Sequence, residues 1–362
     1  MRLASFNLEN LFTRAEVMNL SNWDEGKDAL DDIDALNALI SKEEYTDGDK
    51  KKIETILDKY DFANRNKTDR PFTINEVREK LYKVPKSSDR VAVVADGRNA
   101  WVGWVELRRE EVAYEATLNT ARVLQEIDAD VVAAVEVENR ITMCRFHDQV
   151  LEREYKATYP HLMCVDGNDA RGIDVGILSR FPVVSVRSHI DDLDAKGTIF
   201  SRDCCEYEVL LPGGKSLVVL ANHFKSKGYG SMAASDEKRR RQATRVAEIY
   251  KAAVKRSEYV AVVGDLNDTP DSKPLAPIKG TDLKDISEHN LWKGDVGTYG
   301  TGKSKGSKID YILLSPALWK KVTAVGVERR GIYAPSLKIM WPGLTKTTAA
   351  SDHAALWVEL DV

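Results

Sequence analysis

The chain of 362 residues has only four cysteines, and their spacing fits no metal site. Two of them, Cys204 and Cys205, are adjacent, which is a poor geometry for a mutual disulfide. The others, Cys144 and Cys164, have no partner at a zinc-site spacing. We therefore expect reduced thiols and no structural zinc site.

Long apolar runs are also missing from the sequence. No run approaches the ~20 residues that a membrane-spanning helix needs. Met1–Asn7 alternates as a strand does and lacks the apolar core and cleavage site of a signal peptide. We therefore predict no membrane span, and either a cytoplasmic protein or a secreted one whose leader has been removed.

The sequence has no surplus of basic charge. Lys and Arg together number 53 against 57 Asp and Glu, for a net charge of −4. This balance excludes the strongly basic footprint of a passive nucleic-acid-binding protein. An enzyme that binds phosphate locally stays open. The 43% hydrophobic and 30% charged content is typical of a globular protein, and oligomeric state is not predicted.

The most informative stretch is the apolar run Tyr259–Val263, which ends in Gly264, Asp265, Leu266 and Asn267. Side chains alternate along a strand, so Asp265 and Asn267 can point the same way at the strand end. Polar residues on a loop held by a rigid strand often carry chemistry. The same letters also suit an Asx-type turn, and this stretch alone leaves both interpretations open.

Polar side chains follow several other predicted strands in the same way. They are Asn7 and Glu9, Glu136, Asn222 and His223, Asp310, and Asp352 and His353. Hard oxygen ligands of this kind suit Mg²⁺ or Mn²⁺. A metal-assisted phosphate hydrolase needs a metal site, a carboxylate to orient water and cations for the developing charge. The set as a whole therefore favours phosphate chemistry, although each member alone is weak.

The remaining patterns predict further helices and strands. The predicted helices are Asp24–Asp61, Tyr114–Ile127, Met143–Glu154 and Asp236–Arg256. The predicted strands are Arg2–Asn7, Asp130–Glu136, His161–Val165, Asp174–Arg180, Cys205–Leu211, Lys215–Ala221, Lys308–Leu314 and Ala354–Leu360.

Residues 13–111 differ in composition and are predicted to be an insertion or cap. Within them, Asp96-Gly97 between Arg90–Val94 and Trp101–Val105 predicts a β-hairpin. Trp101 and Trp104 could form a lip over substrate or pack beneath that hairpin.

The order of these motifs resembles the endonuclease/exonuclease/phosphatase superfamily of DNase I-like and exonuclease III-like enzymes. The motifs are Asn7-x-Glu9, Glu136, Asp174-x-Gly176, Asn222-His223, Gly264-Asp265-Leu266-Asn267, Ile309-Asp310-Tyr311 and Ser351-Asp352-His353. The resemblance covers residues 1–12 and 114–362. The run from Asn222 to Gly228, followed by Arg239-x-x-Gln242-Ala243, is most similar to bacterial secreted-type nucleases.

The resemblance implies an α/β fold, a DNase I-like four-layer sandwich of two mixed β-sheets flanked by helices. It implies a single domain over residues 1–362, with the 13–111 insertion after the first strand. It also implies a Mg²⁺ or Mn²⁺ site with Glu136 as the main ligand, helped by Asn7 and Asp352. Glu9, where many members have Asp or Asn, would lie near a second or alternate position.

The catalytic roles also follow from the resemblance. Asp265 would orient or deprotonate the attacking water, and Asn267 would hold that water or a phosphate oxygen. His353, oriented by Asp310, would stabilise the pentacovalent centre or protonate the leaving oxygen. The scissile phosphate would be contacted by His223, with Asn222 beside it.

Several basic and aromatic residues have two interpretations. Arg171 and Lys225 are candidate phosphate clamps, or else surface ion-pair partners. The Arg239–Arg241 run is either a solvated helix face or a contact to a nucleic-acid backbone. Trp292 and Tyr299 either stack on a base or pack in the core.

The leading functional hypothesis is a metal-dependent phosphodiesterase, a nuclease that cleaves DNA by in-line attack of water. The alternative is a phosphatase or phosphodiesterase for a small-molecule or lipid phosphate, which the low basicity favours. A non-catalytic protein with the same fold is the third hypothesis. Buried carboxylates without a metal would be costly to retain, and this argues against it.

Overall fold

The computed structural model describes residues 1–11, 15, 17, 23–108, 114–169, 172–227, 231–337 and 339–362. The chain divides into two compact units. The larger comprises residues 1–12 and 112–362, and the smaller comprises residues 13–111.

The described part of the chain contains both α-helices and β-strands. The helices are α1 (Trp23–Ile40), α2 (Asp47–Lys59), α3 (Tyr114–Ile127), α4 (Arg140–Phe146), α5 (Arg153–Tyr155), α6 (Met232–Ala253), α7 (Ala276–Lys279) and α8 (Pro316–Trp319). The strands are β1 (Arg2–Leu11), β2 (Phe72–Arg78), β3 (Tyr82–Lys83), β4 (Ala92–Val93), β5 (Val102–Leu107), β6 (Val131–Val137), β7 (His161–Val165), β8 (Asp174–Ser179), β9 (Val183–Arg187), β10 (Leu193–Asp194), β11 (Gly197–Thr198), β12 (Cys204–Leu210), β13 (Ser216–His223), β14 (Tyr259–Asp265), β15 (Lys284–Asp285), β16 (Asp310–Leu314), β17 (Val322–Glu328) and β18 (Ala355–Leu360).

The larger unit is built on two six-stranded sheets. The first has the strand order β17-β18-β1-β6-β8-β7, and the second has the order β15-β16-β14-β13-β12-β9. Both sheets are mixed, because β1 pairs parallel with β6 and β13 pairs parallel with β14, among antiparallel neighbours. The structure therefore confirms the predicted two mixed sheets.

Alternating side chains divide the apolar residues of each sheet between two cores. In β1, Leu3 packs between the sheets, whereas Ala4 packs on the opposite face. The inner core holds residues of both sheets, such as Val135 and Val263. The outer cores join the first sheet to α3 and α4, and the second sheet to α6 and α7. The order helix, sheet, sheet, helix confirms the predicted four-layer sandwich.

Strand register aligns polar residues at one edge of the second sheet. His223 of β13 is opposite Asp265 of β14, which is opposite Asp310 of β16. The residues two positions inward, such as Ala221 and Val263, belong to the core between the sheets. The row of polar side chains therefore faces the first sheet at the open end of the sandwich.

The smaller unit has its own core, formed by α1, α2 and two short antiparallel sheets. Among the described residues of this unit, the largest fully buried side chain is Trp101, whose indole N–H donates to the Tyr45 hydroxyl at 3.0 Å. Trp101 is therefore a packing residue. Trp104 is 50% exposed.

The predicted hairpin at Asp96-Gly97 is wrong. β5 pairs with β2, and β4 pairs with β3. The dipeptide instead packs against the connection between α1 and α2, where Tyr45 N–H donates to the Asp96 carbonyl at 2.8 Å. A Cβ at Gly97 would lie 1.8 Å from the Glu43 carbonyl oxygen, so this close backbone contact requires glycine.

Among the described residues, no helix combines the length and apolar character needed to cross a bilayer.

Candidate active site

At the site, the Asn7 side chain of β1 links the two sheets. Its side-chain N–H groups donate to Glu136 Oε1 and Asp265 Oδ2, each at 3.2 Å. Its Oδ1 accepts from the Glu9 N–H at 3.0 Å. One amide thus ties a carboxylate of the first sheet to a carboxylate of the second.

Asp265 and Asn267 lie close together, as the sequence suggested. Asp265 Oδ1 accepts from the Asn267 backbone N–H at 2.8 Å, and its Oδ2 accepts from the Asn267 side chain at 3.1 Å. Gly264 has φ 123°, and a Cβ there would lie 2.0 Å from the Asn222 carbonyl oxygen. The Asx turn and the candidate catalytic pair are therefore one structure, which the glycine makes possible.

His223 lies between the carboxylates of the two sheets. Its Nε2 is 3.6 Å from Glu136 Oε1 and 3.8 Å from Asp265 Oδ2. The structure does not bring the Asn222 side chain to this cluster. Consecutive strand residues point to opposite faces, and the Asn222 amide donates to the carbonyl oxygen of Leu220 at 2.8 Å. A contact between Asn222 and the phosphate therefore has no support in this geometry.

The second half of the site is built on His353, just before β18. Its Nδ1 is 2.8 Å from Asp310 Oδ2, the pairing predicted from the sequence. Its Nε2 is 3.7 Å from Asp352 Oδ1. The Tyr299 ring lies edge-on to the imidazole at 5.1 Å and is 45% exposed. Tyr299 is therefore at the rim of the site and not in the core.

Glu9 and Ser351 hold the loop that carries Asp352 and His353. Glu9 Oε2 accepts from the Asp352 backbone N–H at 2.9 Å. The Ser351 hydroxyl donates to the Asn7 carbonyl at 2.8 Å and accepts from His353 N–H at 3.0 Å. In this arrangement Glu9 fixes the position of Asp352.

Burial and neighbouring charge shift the acid–base properties of the site. Burial, together with the negative charge of Asp310, raises the pKa of Asp265 to about 8. Burial lowers the pKa of His353, but the charges of Asp310 and Asp352 outweigh it and hold that pKa well above its ordinary value. His353 is therefore cationic at neutral pH.

The raised pKa of Asp265 predicts how the stability of the metal-free protein depends on pH. A carboxyl whose pKa is higher when folded stabilises the fold below its unfolded pKa of about 4, and this contribution is lost as pH rises through about 8. We expect thermal melts in EDTA to show a loss of stability between pH 5 and 8, at most about 1.4 kcal/mol per pH unit for one proton. Asp265→Asn should remove most of this slope. An equal slope in the variant would contradict the assignment.

Three residues of the site have a strained, left-handed backbone conformation. Glu9, Glu136 and Asn267 have φ values of 53°, 61° and 51°, which non-glycine residues rarely adopt. Val135 packs between the sheets and Val137 packs on the outer face, so the turn at Glu136 breaks the strand alternation. This break directs the Glu136 carboxylate to Asn7 and His223.

The strain predicts a difference between two substitutions at one position. Glu136→Gly should be more stable than Glu136→Ala by about 1 kcal/mol, because only glycine adopts this φ without cost. Chemical denaturation would measure the difference, and both variants should lose activity. Equal stability of the two would show that the backbone is not strained here.

The basic and aromatic residues with two interpretations differ in where the structure places them. Arg171 lies outside the described residues. Lys225 is partly buried on the loop after β13, and its backbone is held by α6. Arg239 is fully buried, so neither proposed exposed role applies to it. Trp292 packs partly buried against the inner core.

Several other residues that shape the site carried no distinctive signal in the sequence. Thr298 Oγ1 accepts from the backbone N–H of Asp310 at 3.0 Å, and Asp268 binds Arg239 through a 2.9 Å ion pair. Threonine and aspartate at these positions look like ordinary loop residues. Their role in shaping the site is visible only from the residues that they contact in the folded structure.

The donor set fits a hard divalent cation. Ligand atoms of Glu136, His223 and Asp265 all lie within 4.8 Å of one another, and those of Asp265, Asp310 and His353 form a second such group. The half-buried carboxylate of Glu136 and the buried carboxylate of Asp265 lie on facing sheets and repel each other unless a cation or proton separates them. A third group consists of His147, Asp148 and Glu152. Both ring nitrogens of His147 already have hydrogen-bond partners, because Nδ1 contacts Asp148 Oδ1 and Nε2 accepts from the Tyr159 backbone N–H.

Comparison with solved structures returns proteins of similar fold. A mannosyl-6-phosphatase from Bacteroides thetaiotaomicron is 17% identical, with a TM-score of 0.51, over 69% of this chain and 91% of that one. A family protein from Leptotrichia buccalis is 16% identical, with a TM-score of 0.48, over 70% and 95%. Truncated TDP2 from Caenorhabditis elegans is 16% identical, with a TM-score of 0.47, over 67% and 88%. No curated protein sequence matches the chain.

A match to a protein-family model places the chain among the hydrolases of phosphate esters. More specifically, the chain belongs to the Endonuclease/Exonuclease/phosphatase family, whose model matches residues 99–353. Members of this family are typically dependent on divalent metals, in agreement with the carboxylate and histidine groups of the site.

Proposed function

We propose that the protein is a Mg²⁺- or Mn²⁺-dependent phosphodiesterase that cleaves DNA by in-line attack of water. The observation that carries the proposal is the convergence of Glu136, His223 and Asp265 from two sheets, beside the Asp310–His353 pair. Such a cluster supplies cation ligands, a carboxylate for water and cationic donors within one site.

Glu136 would be the main metal ligand, with Asn7 and Asp352 as further ligands and Glu9 holding the Asp352 loop. The Asn7 Oδ1 accepts one hydrogen bond and retains a second lone pair. When bound, the cation polarises the phosphate and offsets the charge that develops on its oxygens.

Asp265 would orient and deprotonate the attacking water. In the metal-free protein its raised pKa favours the protonated form, and a cation beside Glu136 favours the carboxylate. Asn267 holds both oxygens of Asp265 through two hydrogen bonds, so it fixes the direction in which the base points.

His353 would stabilise the charge on the phosphate or protonate the leaving oxygen. Asp310 accepts from its Nδ1 and keeps the ring in one orientation, so Nε2–H is the group directed to substrate. His223 Nε2 lies between the two carboxylates, where a phosphate oxygen near Glu136 could accept from it.

The residues at the rim of the site are consistent in charge and shape with an extended polyanionic substrate. The loop after Tyr299 presents the exposed Lys303 and Lys305, and its Gly300 N–H donates to the Asp352 carbonyl at 2.9 Å. An exposed aromatic ring with lysines beside it can stack on a base and contact the strand backbone.

The alternative is a phosphatase or phosphodiesterase for a small-molecule or lipid phosphate. The net charge of −4 favours it, since long nucleic acids are bound by basic surfaces. The fold is shared with a mannosyl-6-phosphatase, so the fold does not decide between the two substrates.

A substrate panel separates the two functions. The purified protein is incubated with plasmid, single-stranded DNA, RNA, bis-p-nitrophenyl phosphate and p-nitrophenyl phosphate, in Mg²⁺, Mn²⁺ or EDTA. We expect metal-dependent cleavage of DNA and of the diester. Turnover of the small esters with no cleavage of any nucleic acid would refute the nuclease and favour the alternative.

A further inference from the structure

The Arg239-x-x-Gln242 motif on α6 carries a charge that the catalytic scheme does not use. Both side chains are completely buried, at 0% exposure. Burying a guanidinium costs free energy unless strong partners compensate for it. A position on the inner face of a helix that packs on a sheet would normally be apolar.

Arg239 connects the loops that follow two neighbouring parallel strands. Its Nη1 donates to the Lys225 carbonyl at 3.0 Å, on the loop after β13. Its Nε donates to Asp268 Oδ2 at 2.9 Å, on the loop after β14. Its Nη2 donates to the Asp236 carboxylate, one turn earlier on α6.

Gln242 lies one turn further along the same helix and contacts the same loop residue. Its Oε1 accepts from the Lys225 backbone N–H at 2.9 Å. Its Nε2 is buried and has no hydrogen-bond partner among the residues that the structure describes. Burying the Gln242 Nε2 donor without a partner costs free energy. The side chain is retained despite this cost, which indicates that the hydrogen bond accepted by its Oε1 is required.

The two side chains therefore hold both backbone hydrogen-bonding groups of Lys225 from one helix. The same loop is fixed at Phe224, whose carbonyl accepts from the Asn267 side chain at 3.1 Å. Asp268, the other partner of Arg239, also accepts from Lys227 Nζ at 2.7 Å. The loop after β13 is thus held at three of its residues, Phe224, Lys225 and Lys227.

We propose that Arg239 and Gln242 are positioning residues that hold Lys225 for contact with the substrate phosphate. This inference rests on the proposed phosphodiesterase function. The helix acts on the reaction only through the loop, since Arg239 is sealed from solvent and makes its contacts with Lys225, Asp268 and Asp236.

The test compares Gln242→Met and Arg239→Lys with Arg240→Gln, each with and without Lys225→Ala. Methionine matches the size of Gln242 but cannot accept from Lys225 N–H. Arg240 is exposed on the same helix and pairs with Glu237, which places it on the solvated helix face and apart from the contacts of Arg239, so its variant is the control. The readouts are kcat and KM for bis-p-nitrophenyl phosphate in Mg²⁺, and hydrogen exchange of the segment 222–227.

We expect Gln242→Met and Arg239→Lys each to lower kcat/KM by about 10–100-fold, mainly through KM, with Arg240→Gln unchanged. In the Lys225→Ala background the same changes should cost less than about twofold, because the residue that they position is gone. Exchange of 222–227 should be faster in Gln242→Met.

Full-size losses in the Lys225→Ala background would overturn the proposal, because a general structural defect adds to the loss of Lys225. Unchanged exchange of 222–227 in Gln242→Met would also overturn it, whether or not the protein is active. An inactive wild-type protein would instead count against the proposed function alone.

Discussion

Replacing Asp265 with Asn is expected to lower kcat about 10³-fold. The change removes the carboxylate that would take the proton from water, a contribution typically worth 10²–10⁴-fold. It retains the side-chain size and an oxygen that can accept from the Asn267 N–H. The loss should therefore appear in the chemical step, with the fold intact.

The measurement is single-turnover hydrolysis of a diester in Mg²⁺, with circular dichroism to verify folding. Asp271→Asn is the matched control, because Asp271 is an exposed carboxylate that pairs with Lys279 at 3.5 Å. Wild-type kcat in Asp265→Asn would show that Asp265 is not the base. A loss in the control would point to nonspecific damage.

His353→Gln is expected to lower kcat about 10²–10³-fold. The substitution removes a cationic donor, kept charged by Asp310 and Asp352, from the place where negative charge develops. Glutamine retains a hydrogen-bonding group of similar reach, so the loss would report on the charge and the transferable proton.

His161→Gln is the control for this change, since His161 lies on β7 and outside the candidate site. The effect should be smaller for a diester with a p-nitrophenolate leaving group than for DNA, because that leaving group departs without a proton. An equal loss with both substrates would exclude protonation of the leaving oxygen as the role of His353.

The sequence was most informative where local pattern and chemistry coincide. Helix α3 and strand β7 have the bounds that periodicity predicted. Polar residues at strand ends also converge as expected, because register aligns His223, Asp265 and Asp310 across the second sheet. Chemistry at strand ends is thus readable before the sheet order is known.

Features that depend on tertiary contacts were not predictable. The Asp-Gly dipeptide at residues 96–97 matched a hairpin pattern, but its backbone packs against the α1–α2 connection. The edge strands β9 and β17 have partly exposed, irregular patterns that give a weak strand signal. Arg239, in a run of three arginines, could not be distinguished from the exposed Arg240 until its buried partners were known.

The placement of Asn222 shows a similar limit. Its neighbour His223 lies in the site, and adjacency in the sequence suggested a shared role. In a strand, adjacency places two side chains on opposite faces, so Asn222 bonds within its own sheet. The motif resemblance alone did not indicate that the side chains of Asn222 and His223 lie on opposite faces of the sheet.

The central claim is that a divalent cation at Glu136 enables hydrolysis beside Asp265. The most direct measurement is a Mg²⁺ titration of EDTA-stripped protein, following diester hydrolysis by wild type and Glu136→Gln. We predict no turnover without metal, saturable recovery in wild type, and a loss of at least about 10-fold in metal affinity for Glu136→Gln. Turnover that survives EDTA, or an unchanged Mg²⁺ dependence in Glu136→Gln, would contradict the claim.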